Sequence, residues 1–377
     1  MSVDLSQYDV ADEASMMQAA LDLAAQGKAT TQPNPRVGCI IVNNGKIVGS
    51  GYHASAGQLH AERMALSEAG EQARGGIAFV NLEPCCHQGR TPPCTDGLID
   101  AGITKVVSAM RDPNPLVGGG GYDMLRGAGI DVVGEVLEKQ ALWLNRGFVS
   151  RMRNKKPWVT LKTAATLDGR TAAVDGQSKW ITGEAARQRV QLLRADHSAI
   201  LTGIGTVLAD DPSLNVRLEN TQRQPLRVVL DPNLRCPLDA RIIANDQQCL
   251  IFTHSEDIDK SAALIELGVE VVQLPADSNG RLELAAVLTE LAHWQCNEIL
   301  VEAGQTLAGA FVESGLVDEL ALFYAGSVLG NQGRSMFQFD APLEFARRPE
   351  YRINNVELIG ADVFVSAINP TSLEALK

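Results

Sequence analysis

Three zinc-binding side chains are spaced in this sequence as ligands of one ion. His60 stands two residues before Glu62, and Cys85 and Cys94 follow further along the chain, after a strand-like run. One imidazole and two thiolates fill three of the four tetrahedral positions of Zn²⁺, and a water in the fourth position has its pKa lowered toward roughly 7. The pattern therefore predicts a catalytic zinc centre with His60, Cys85 and Cys94 as metal ligands.

Glu62 lies close to this predicted centre without being needed as a ligand. A carboxylate in that position can take a proton from an attacking water and pass it to a departing amine, so we assign Glu62 as the catalytic residue. A closed structural zinc site, with Cys86 or His87 as the fourth ligand, is the alternative. We disfavour it because adjacent residues on a tight turn rarely both reach one ion.

The elements that must position these residues alternate between helix and strand. The first segment ends at about residue 148. It begins with a helix at 14–29 and a hairpin at 37–52 that turns at Asn43-Asn44-Gly45, and helices and strands alternate after the hairpin. A second alternating segment begins at Trp158. Alternation of this kind predicts an α/β fold with mainly parallel sheets, joined late in the chain by antiparallel strands.

A basic stretch at 146–157 separates the two segments, and it contains no carboxylate. We predict the domain boundary there, with domains at 1–150 and 151–377. A solvated linker and a segment that attracts phosphate are both compatible with such a stretch.

The composition restricts the partners and the compartment. The 377 residues carry 33 Lys and Arg against 45 Asp and Glu, a net charge of −12, which disfavours nucleic acid and anionic membranes as partners. No apolar run is long enough to span a bilayer, and the acidic N-terminus is unlike a signal peptide. Seven cysteines, an odd number, favour a reducing, cytoplasmic location.

Several strings resemble the enzymes of riboflavin biosynthesis. LEPCCHQGRTPPC at 82–94 places eight residues between the two cysteine ligands, where other zinc deaminases have two, and TQPNPRVG at 31–38 matches the opening loop of the same family. Further strings resemble the reductase that follows the deaminase in the bifunctional members: LDGR at 167–170, SKWIT at 178–182, TVLADDP at 206–212 and VEAG at 301–304.

This resemblance implies a cytidine-deaminase-like α/β/α domain followed by a dihydrofolate-reductase-like α/β domain. It also implies two reactions: zinc-dependent hydrolytic deamination of 2,5-diamino-6-ribosylamino-4(3H)-pyrimidinone 5′-phosphate, then NADPH-dependent reduction of its ribosyl side chain to ribityl. The expected partners are a phosphorylated pyrimidine as small-molecule substrate and further copies of the chain, as a dimer or tetramer.

The resemblance also carries site residues onto this sequence. Those matching cofactor positions are Ala164, Trp180, Thr206, Asp210, Gly304, Gln305, Thr306, Leu307, Ala308, Gly309 and Ala310. Those matching substrate positions are Asn34, Lys162, Ser178, Arg194, Leu214, Arg217 and Glu302. We expect the turn at 304–310 to open a helix whose backbone N–H groups bind phosphate, and Arg194 and Arg217 to supply local positive charge in an acidic protein.

Two alternatives remain open at this point. The first is another zinc nucleobase deaminase fused to an unrelated nucleotide-binding domain. The second is a regulatory or structural zinc protein that binds a nucleotide without turnover. The lone Gly203-Ile204-Gly205 motif does not decide between them, because the remainder of a dinucleotide-binding fingerprint is absent.

Overall fold

The chain divides into two compact units in the computed structural model, which describes residues 3–87, 92–115, 117–219, 221–244 and 248–376. Met1–Asn154 with Leu376–Lys377 form unit 1, and Lys155–Ala375 form unit 2. The basic stretch is not a solvated linker, as one interpretation had it, because Arg146–Asn154 is a helix that buries Phe148 and Val149. No helix in the described part of the chain combines the length and the apolar character of a membrane span.

Unit 1 is a five-stranded sheet packed against helices. Its strands are β1 Gly38–Asn43, β2 Lys46–Tyr52, β3 Ile77–Val80, β4 Lys105–Ser108 and β5 Asp131–Val133. Its helices are α1 Glu13–Ala25, α2 Ala61–Ala69, α3 Cys94–Asp100, α4 Gly120–Gly127, α5 Glu138–Leu144 and α6 Arg146–Asn154. The strand order is β2-β1-β3-β4-β5, in which the first two pairings are antiparallel and the last two are parallel.

The predicted hairpin holds α2 in place. Asn44 and Gly45 have φ angles of 49° and 71°, which the tight turn between β1 and β2 requires. Strand β2 then runs directly beneath α2, since a Cβ atom at Gly49 would lie 2.2 Å from the Ala65 carbonyl oxygen and one at Gly51 would lie 2.7 Å from that of Ala61. Only glycine allows this approach, which fixes the start of α2 over the sheet.

Unit 2 contains a nine-stranded sheet and a separate two-stranded one. The strands are β6 Trp158–Thr166, β7 Arg170–Ala172, β8 Ala199–Gly203, β9 Leu226–Leu230, β10 Cys249–Thr253, β11 Val269–Gln273, β12 Glu298–Glu302, β13 Glu319–Ala325, β14 Arg334–Ser335, β15 Arg352–Ile359 and β16 Asp362–Ile368. The helices are α7 Glu184–Asp196, α8 Ile204–Asp210, α9 Ile258–Glu266, α10 Leu284–His293, α11 Gln305–Glu313 and α12 Pro370–Glu374.

The large sheet has the order β11-β10-β9-β8-β12-β6-β13-β16-β15. All neighbours from β11 to β13 are parallel, and β16 and β15 are added antiparallel, as expected for the late part of the chain. Both faces are buried: in β8, Ala199 and Leu201 join one apolar core while Ile200 joins the core on the other face. The carboxyl ends of the parallel strands therefore meet at one edge between two helical layers, where ligands of such sheets bind.

Candidate functional site

The three predicted metal ligands come together in unit 1. His60 is the residue that precedes α2, Cys85 lies in the turn after β3, and Cys94 is the first residue of α3. The Nδ1 atom of His60 lies 3.3 Å from the Sγ of Cys94 and 3.6 Å from the Sγ of Cys85, and all three ligand atoms lie within 4.8 Å of one another. Tetrahedral zinc with ordinary bond lengths needs ligand atoms about 3.3 to 3.8 Å apart, so this donor set fits the ion.

The surroundings of the two cysteines favour a thiolate. A hydrogen bond with the Cys94 thiol, together with the adjacent His60, lowers the pKa of Cys85 to about 4 against the effect of burial. The same hydrogen bond and the burial of Cys94 raise the pKa of that second thiol. The backbone N–H of Cys94 also donates to the Cys85 sulfur at 3.4 Å. The cluster is therefore built to hold negative charge on sulfur, which a zinc ion would share.

Glu62 lies in the first turn of α2, beside the cluster, and its side chain is only 4% exposed. Burial, with the nearby Cys85, raises the pKa of this carboxyl. A carboxyl group that readily holds a proton beside a metal site is suited to proton transfer.

Neither alternative fourth ligand joins the cluster. In the described part of the chain, the metal-ligand cluster of unit 1 consists of His60, Cys85 and Cys94 and does not include Cys86 or His87. The Cys86 sulfur instead lies beside Gly120, 2.9 Å from where a Cβ atom of that residue would be. Residues 88–91, part of the string that carried the family resemblance, lie outside the described residues.

Asn34 meets a histidine that sequence analysis left unassigned. Its Nδ2 atom lies 3.0 Å from Nε2 of His53, and Nδ1 of His53 lies 3.0 Å from the Leu59 carbonyl oxygen. These contacts fit a neutral ring that donates from Nδ1 and accepts the Asn34 amide at Nε2, and burial lowers the pKa of His53 in agreement. The His53 ring also contacts the ring of His60 edge-on, with centroids 5.5 Å apart. Asn34 is thus held close to the metal ligands.

Asp112 is a second group near the site that sequence analysis did not single out. Burial raises the pKa of its carboxyl to about 7, and the nearby Glu83 and Cys85 add to the effect. The signal in the sequence was the turn Asp112-Pro113-Asn114-Pro115, in which Asp112 accepts the Asn114 N–H at 2.8 Å.

In unit 2, three of the predicted substrate residues form one charged cluster. Lys162 in β6 and Glu302 in β12 are partners in adjacent parallel strands. Arg194, near the end of α7, binds the Glu302 carboxylate through two hydrogen bonds of 2.6 and 2.9 Å. Burial alone would raise the pKa of Glu302, but Arg194 and then Lys162 lower it to about 2. Arg194 is therefore paired with Glu302 within the protein, and the expectation that it supplies positive charge to a ligand stays a prediction.

Arg217 keeps its charge on the surface. It is exposed, its Nη1 donates to Asn215 Oδ1 at 3.0 Å, and the ion pairs found among the described residues give it no carboxylate partner. Burial, then the neighbouring Arg194, lowers its pKa. The side chain of Leu214 belongs to an apolar core, so only its backbone is placed to meet a ligand. Ser178 is half-buried in the segment that follows β7.

The predicted cofactor residues gather around the carboxyl edge of the sheet. Ala164 is half-buried in β6, and Thr206 and Asp210 lie on α8. The Trp180 side chain is 72% exposed, while the neighbouring Lys179 lies 3.6 Å from Asp210 in an ion pair. These contacts bring the 178–182 segment beside α8.

The segment 304–310 is mostly helix rather than a turn. Gly304 precedes α11 without a side-chain cap, and Gln305–Ala310 lie in its first two turns. The Ala308 N–H already donates to the Gly304 carbonyl oxygen at 3.0 Å, so only the residues before Ala308 can present backbone N–H groups to a ligand. A Cβ atom at Gly203, the last residue of β8, would lie 3.2 Å from Leu307 on α11, the helix that follows β12. The carboxyl ends of β8 and β12 therefore lie next to each other. An uncapped helix start at this edge fits a phosphate-bearing cofactor.

Comparison with known proteins covers both units. The family model "Cytidine and deoxycytidylate deaminase zinc-binding region" matches residues 11–110, and the model "RibD C-terminal domain" matches residues 157–365. The chain is 45% identical over 360 residues to "Riboflavin biosynthesis protein RibD" of Haemophilus influenzae, which covers 92% of this chain and 95% of that one.

Solved structures agree with this. A structure of Acinetobacter baumannii RibD superposes with a TM-score of 0.88 at 42% identity, covering 95% of this chain and 99% of that one. A structure of a "diaminohydroxyphosphoribosylaminopyrimidine deaminase/ 5-amino-6-(5-phosphoribosylamino)uracil reductase" from Thermotoga maritima gives 0.85 at 34% identity, covering 95% and 98%.

Proposed function

This chain belongs to the RibD family of riboflavin biosynthesis proteins, and from that premise we propose the substrate of each unit and the role of each residue. The chain is a bifunctional enzyme of riboflavin biosynthesis, with a zinc-binding deaminase domain followed by a reductase domain. The family, the α/β domain order and the zinc predicted from the sequence are thereby confirmed. A deaminase joined to an unrelated second domain is excluded.

The substrate that we propose for unit 1 is 2,5-diamino-6-ribosylamino-4(3H)-pyrimidinone 5′-phosphate. It would lose, by hydrolysis, the amine on the ring carbon between the two ring nitrogens. The observation that carries this proposal is the juxtaposition of His60, Cys85 and Cys94 with a buried carboxyl at Glu62. The name of the Thermotoga maritima relative, which states this deaminase activity, supports it.

In this reaction, His60, Cys85 and Cys94 would hold the zinc. When bound, zinc acidifies a water in its open coordination position and so supplies a nucleophile near neutral pH. Glu62 would take the proton at its carboxylate and deliver it to the departing amine, since its raised pKa lets it keep the proton between the two steps. Asn34, oriented by His53, would bind an amide edge of the ring.

Unit 2 would then use NADPH, which supplies a hydride, to reduce the ribosyl group to ribityl at the anomeric carbon of the ring-opened sugar. Arg217 would bind the phosphate of the substrate, because it is exposed and the ion pairs of the described residues do not include it. Lys162 would position the sugar from within its cluster with Glu302 and Arg194. Ser178 and the Leu214 backbone would complete the substrate site, and the cofactor would lie against Ala164, Trp180, Thr206, Asp210 and Gly304–Ala310.

One assay tests both reactions on the full chain. With the diaminopyrimidine substrate alone, we expect stoichiometric release of ammonia and no oxidised cofactor. Addition of NADPH should then cause loss of its absorbance and formation of the ribityl product. Absence of ammonia release from zinc-loaded protein would overturn the deaminase assignment. Reduction by NADPH before any deamination would overturn the proposed order.

We propose that the two activities lie separately in residues 1–150 and 151–377, since the metal ligands and Glu62 belong to unit 1 and the charged cluster to unit 2. Chelation of zinc in the full chain should therefore abolish ammonia release and leave reduction of the already deaminated substrate unchanged. Loss of both activities on chelation would instead indicate one composite site.

A homo-oligomer is proposed from the edge strand β15. Its side chains Ile353, Val356 and Leu358 are 64%, 60% and 78% exposed, an unusual density of apolar surface that a second copy of the chain would cover. Light scattering should give the mass of a dimer or tetramer, and Val356→Asp should reduce it. A wild-type monomer would contradict this proposal.

The remaining partner and compartment assignments follow from composition. With a net charge of −12, we propose that the enzyme acts on its small-molecule substrate without nucleic acid. We also propose a cytoplasmic location, which is supported because none of the seven cysteines, all within the described residues, is in a disulfide.

A further inference from the structure

A buried carboxylate that has no part in the chemistry above lies two residues before Cys85. Glu83 follows β3 and is only 2% exposed. Its Oε2 accepts the backbone N–H of Asp112 at 3.2 Å and that of Gly119 at 2.9 Å. Its Oε1 accepts those of Gly121 at 2.9 Å and Tyr122 at 3.3 Å. One side chain thus collects four backbone donors from the segment that leads into α4.

The described residues of this segment, 112–115 and 117–122, pack against the turn that carries Cys85. A Cβ atom at Gly121 would be 2.1 Å from the Pro84 carbonyl oxygen, and one at Gly120 would be 2.9 Å from the Cys86 sulfur. No side chain fits at Gly121, so the backbones of the segment and of the turn are in contact there. Whatever fixes the segment therefore also fixes the turn.

The same segment leads to the helix that carries the third ligand. Thr95, the residue after Cys94, donates its hydroxyl to the Met124 sulfur on α4 at 3.3 Å. The thiol ligands Cys85 and Cys94 thus both lie on elements that contact the segment or the helix it begins. A displacement of α4 would therefore shift the sulfur atoms of both Cys85 and Cys94.

We propose that Glu83 is a positioning residue of the deaminase site: by binding four backbone N–H groups of residues 112–122, it holds that segment against the 84–86 turn and so fixes the Cys85 sulfur in the metal geometry. This inference rests on the proposed deaminase function for its kinetic consequence. Its structural part stands on the contacts alone.

A carboxylate is the side chain that this arrangement requires. The two oxygens of Glu83 accept four N–H donors, whereas the amide of glutamine offers one oxygen and turns an NH₂ group toward two of the donors. Donors left unsatisfied in a buried site are costly, so the segment must move away from the turn in Glu83→Gln. Aspartate keeps both oxygens but is one methylene shorter, so it should restore the contacts in part.

The test compares Glu83→Gln and Glu83→Asp with wild type in the full chain. Glu68→Gln is the matched control, because Glu68 also accepts a backbone N–H in unit 1, that of Ser50 at 2.6 Å, but on the exposed face of α2. Each protein is loaded with Co²⁺ for its visible spectrum and with Zn²⁺ for kcat, KM and the rate of metal loss to a chelator. Amide hydrogen exchange is followed in residues 111–124 and in β1 and β3.

In Glu83→Gln we expect altered Co²⁺ ligand-field bands, faster metal loss, faster exchange confined to residues 111–124, and deaminase kcat/KM lower by about 10- to 100-fold, the range for groups that orient metal ligands. Glu83→Asp should recover part of each change. Reductase activity in all variants, and every readout in Glu68→Gln, should match wild type.

An unchanged Co²⁺ spectrum and metal-loss rate in Glu83→Gln would overturn the proposal. So would faster exchange throughout β1 and β3, which would indicate a general role in stability. If zinc-loaded wild type releases no ammonia, the proposed function fails, and the spectrum and the exchange pattern still decide the role of Glu83.

Discussion

The ion pair between Arg194 and Glu302 should stabilise unit 2. Neither side chain should stabilise it when the other is absent. Both side chains are largely buried, with exposed fractions of 10% and 12%, and two hydrogen bonds join them. Arg194→Met leaves the Glu302 carboxylate buried, with Lys162 and then Arg217 as its remaining charged neighbours. Glu302→Gln leaves the Arg194 guanidinium without its counter-charge. We expect either single change to be strongly destabilising.

Two estimates of the loss in unfolding free energy agree. Removing one partner of a buried ion pair typically costs about 3 to 5 kcal/mol. The pKa of Glu302 lies at about 2, against an ordinary value of 4.5, and at about 1.36 kcal/mol per pH unit that difference is worth about 3 kcal/mol. Because the pKa is lowered by folding, this contribution is fully present above pH 4.5 and is lost as the pH falls toward about 2. The destabilisation by Arg194→Met should therefore shrink across that range.

Urea unfolding monitored by tryptophan fluorescence measures this effect in the full chain. Three of the four tryptophans, Trp158, Trp180 and Trp294, belong to unit 2, so the signal reports chiefly on that unit. The double variant Arg194→Met/Glu302→Gln is the control, because it removes both charges of the pair together and should cost less than the sum of the single changes. Additive losses, or single losses below about 1 kcal/mol, would refute the reasoning.

Three further predictions concern the two active sites. Glu62→Gln should keep one zinc per chain by metal analysis and lose ammonia release, since an amide cannot carry the proton; a near-normal rate would contradict the role given to Glu62. Cys86→Ser should keep both the metal and most deaminase activity, and loss of zinc would show that Cys86 is a ligand. Arg217→Ala should raise KM for the deaminated pyrimidine about 10- to 100-fold, the equivalent of about 1.5 to 3 kcal/mol, in steady-state assays. A rise in KM for NADPH alone would place Arg217 in the cofactor site instead.

Local patterns in the sequence predicted the structure correctly where short-range interactions determine the conformation. The hairpin at Asn43-Asn44-Gly45 formed because the turn needs positive φ angles, which Asn44 and Gly45 adopt. The interpretation of residues 146–157 as a solvated linker was wrong because nothing local marks α6 as a helix. Its stability comes from burying Phe148 and Val149, which the sequence alone does not reveal. Strand β15 could not be predicted from the sequence for a related reason, since its exposed residues lack a buried face and only the ladder with β16 defines it.

The sequence by itself determined the chemistry of the protein: the donor types at His60, Cys85 and Cys94, a carboxylate beside them, and the family to which the strings belong. It could not determine which charges are cancelled within the fold. Arg194 meets Glu302 across 108 positions of the chain, and Glu83 meets donors 29 to 39 positions away. Contacts of this kind depend on how strands and helices pack, because burial brings distant polar groups together and makes each one need a partner. Pairing of this kind, decided only in the tertiary structure, joins Arg194 to Glu302, leaves Arg217 outside the ion pairs found among the described residues, and underlies the positioning role that we propose for Glu83.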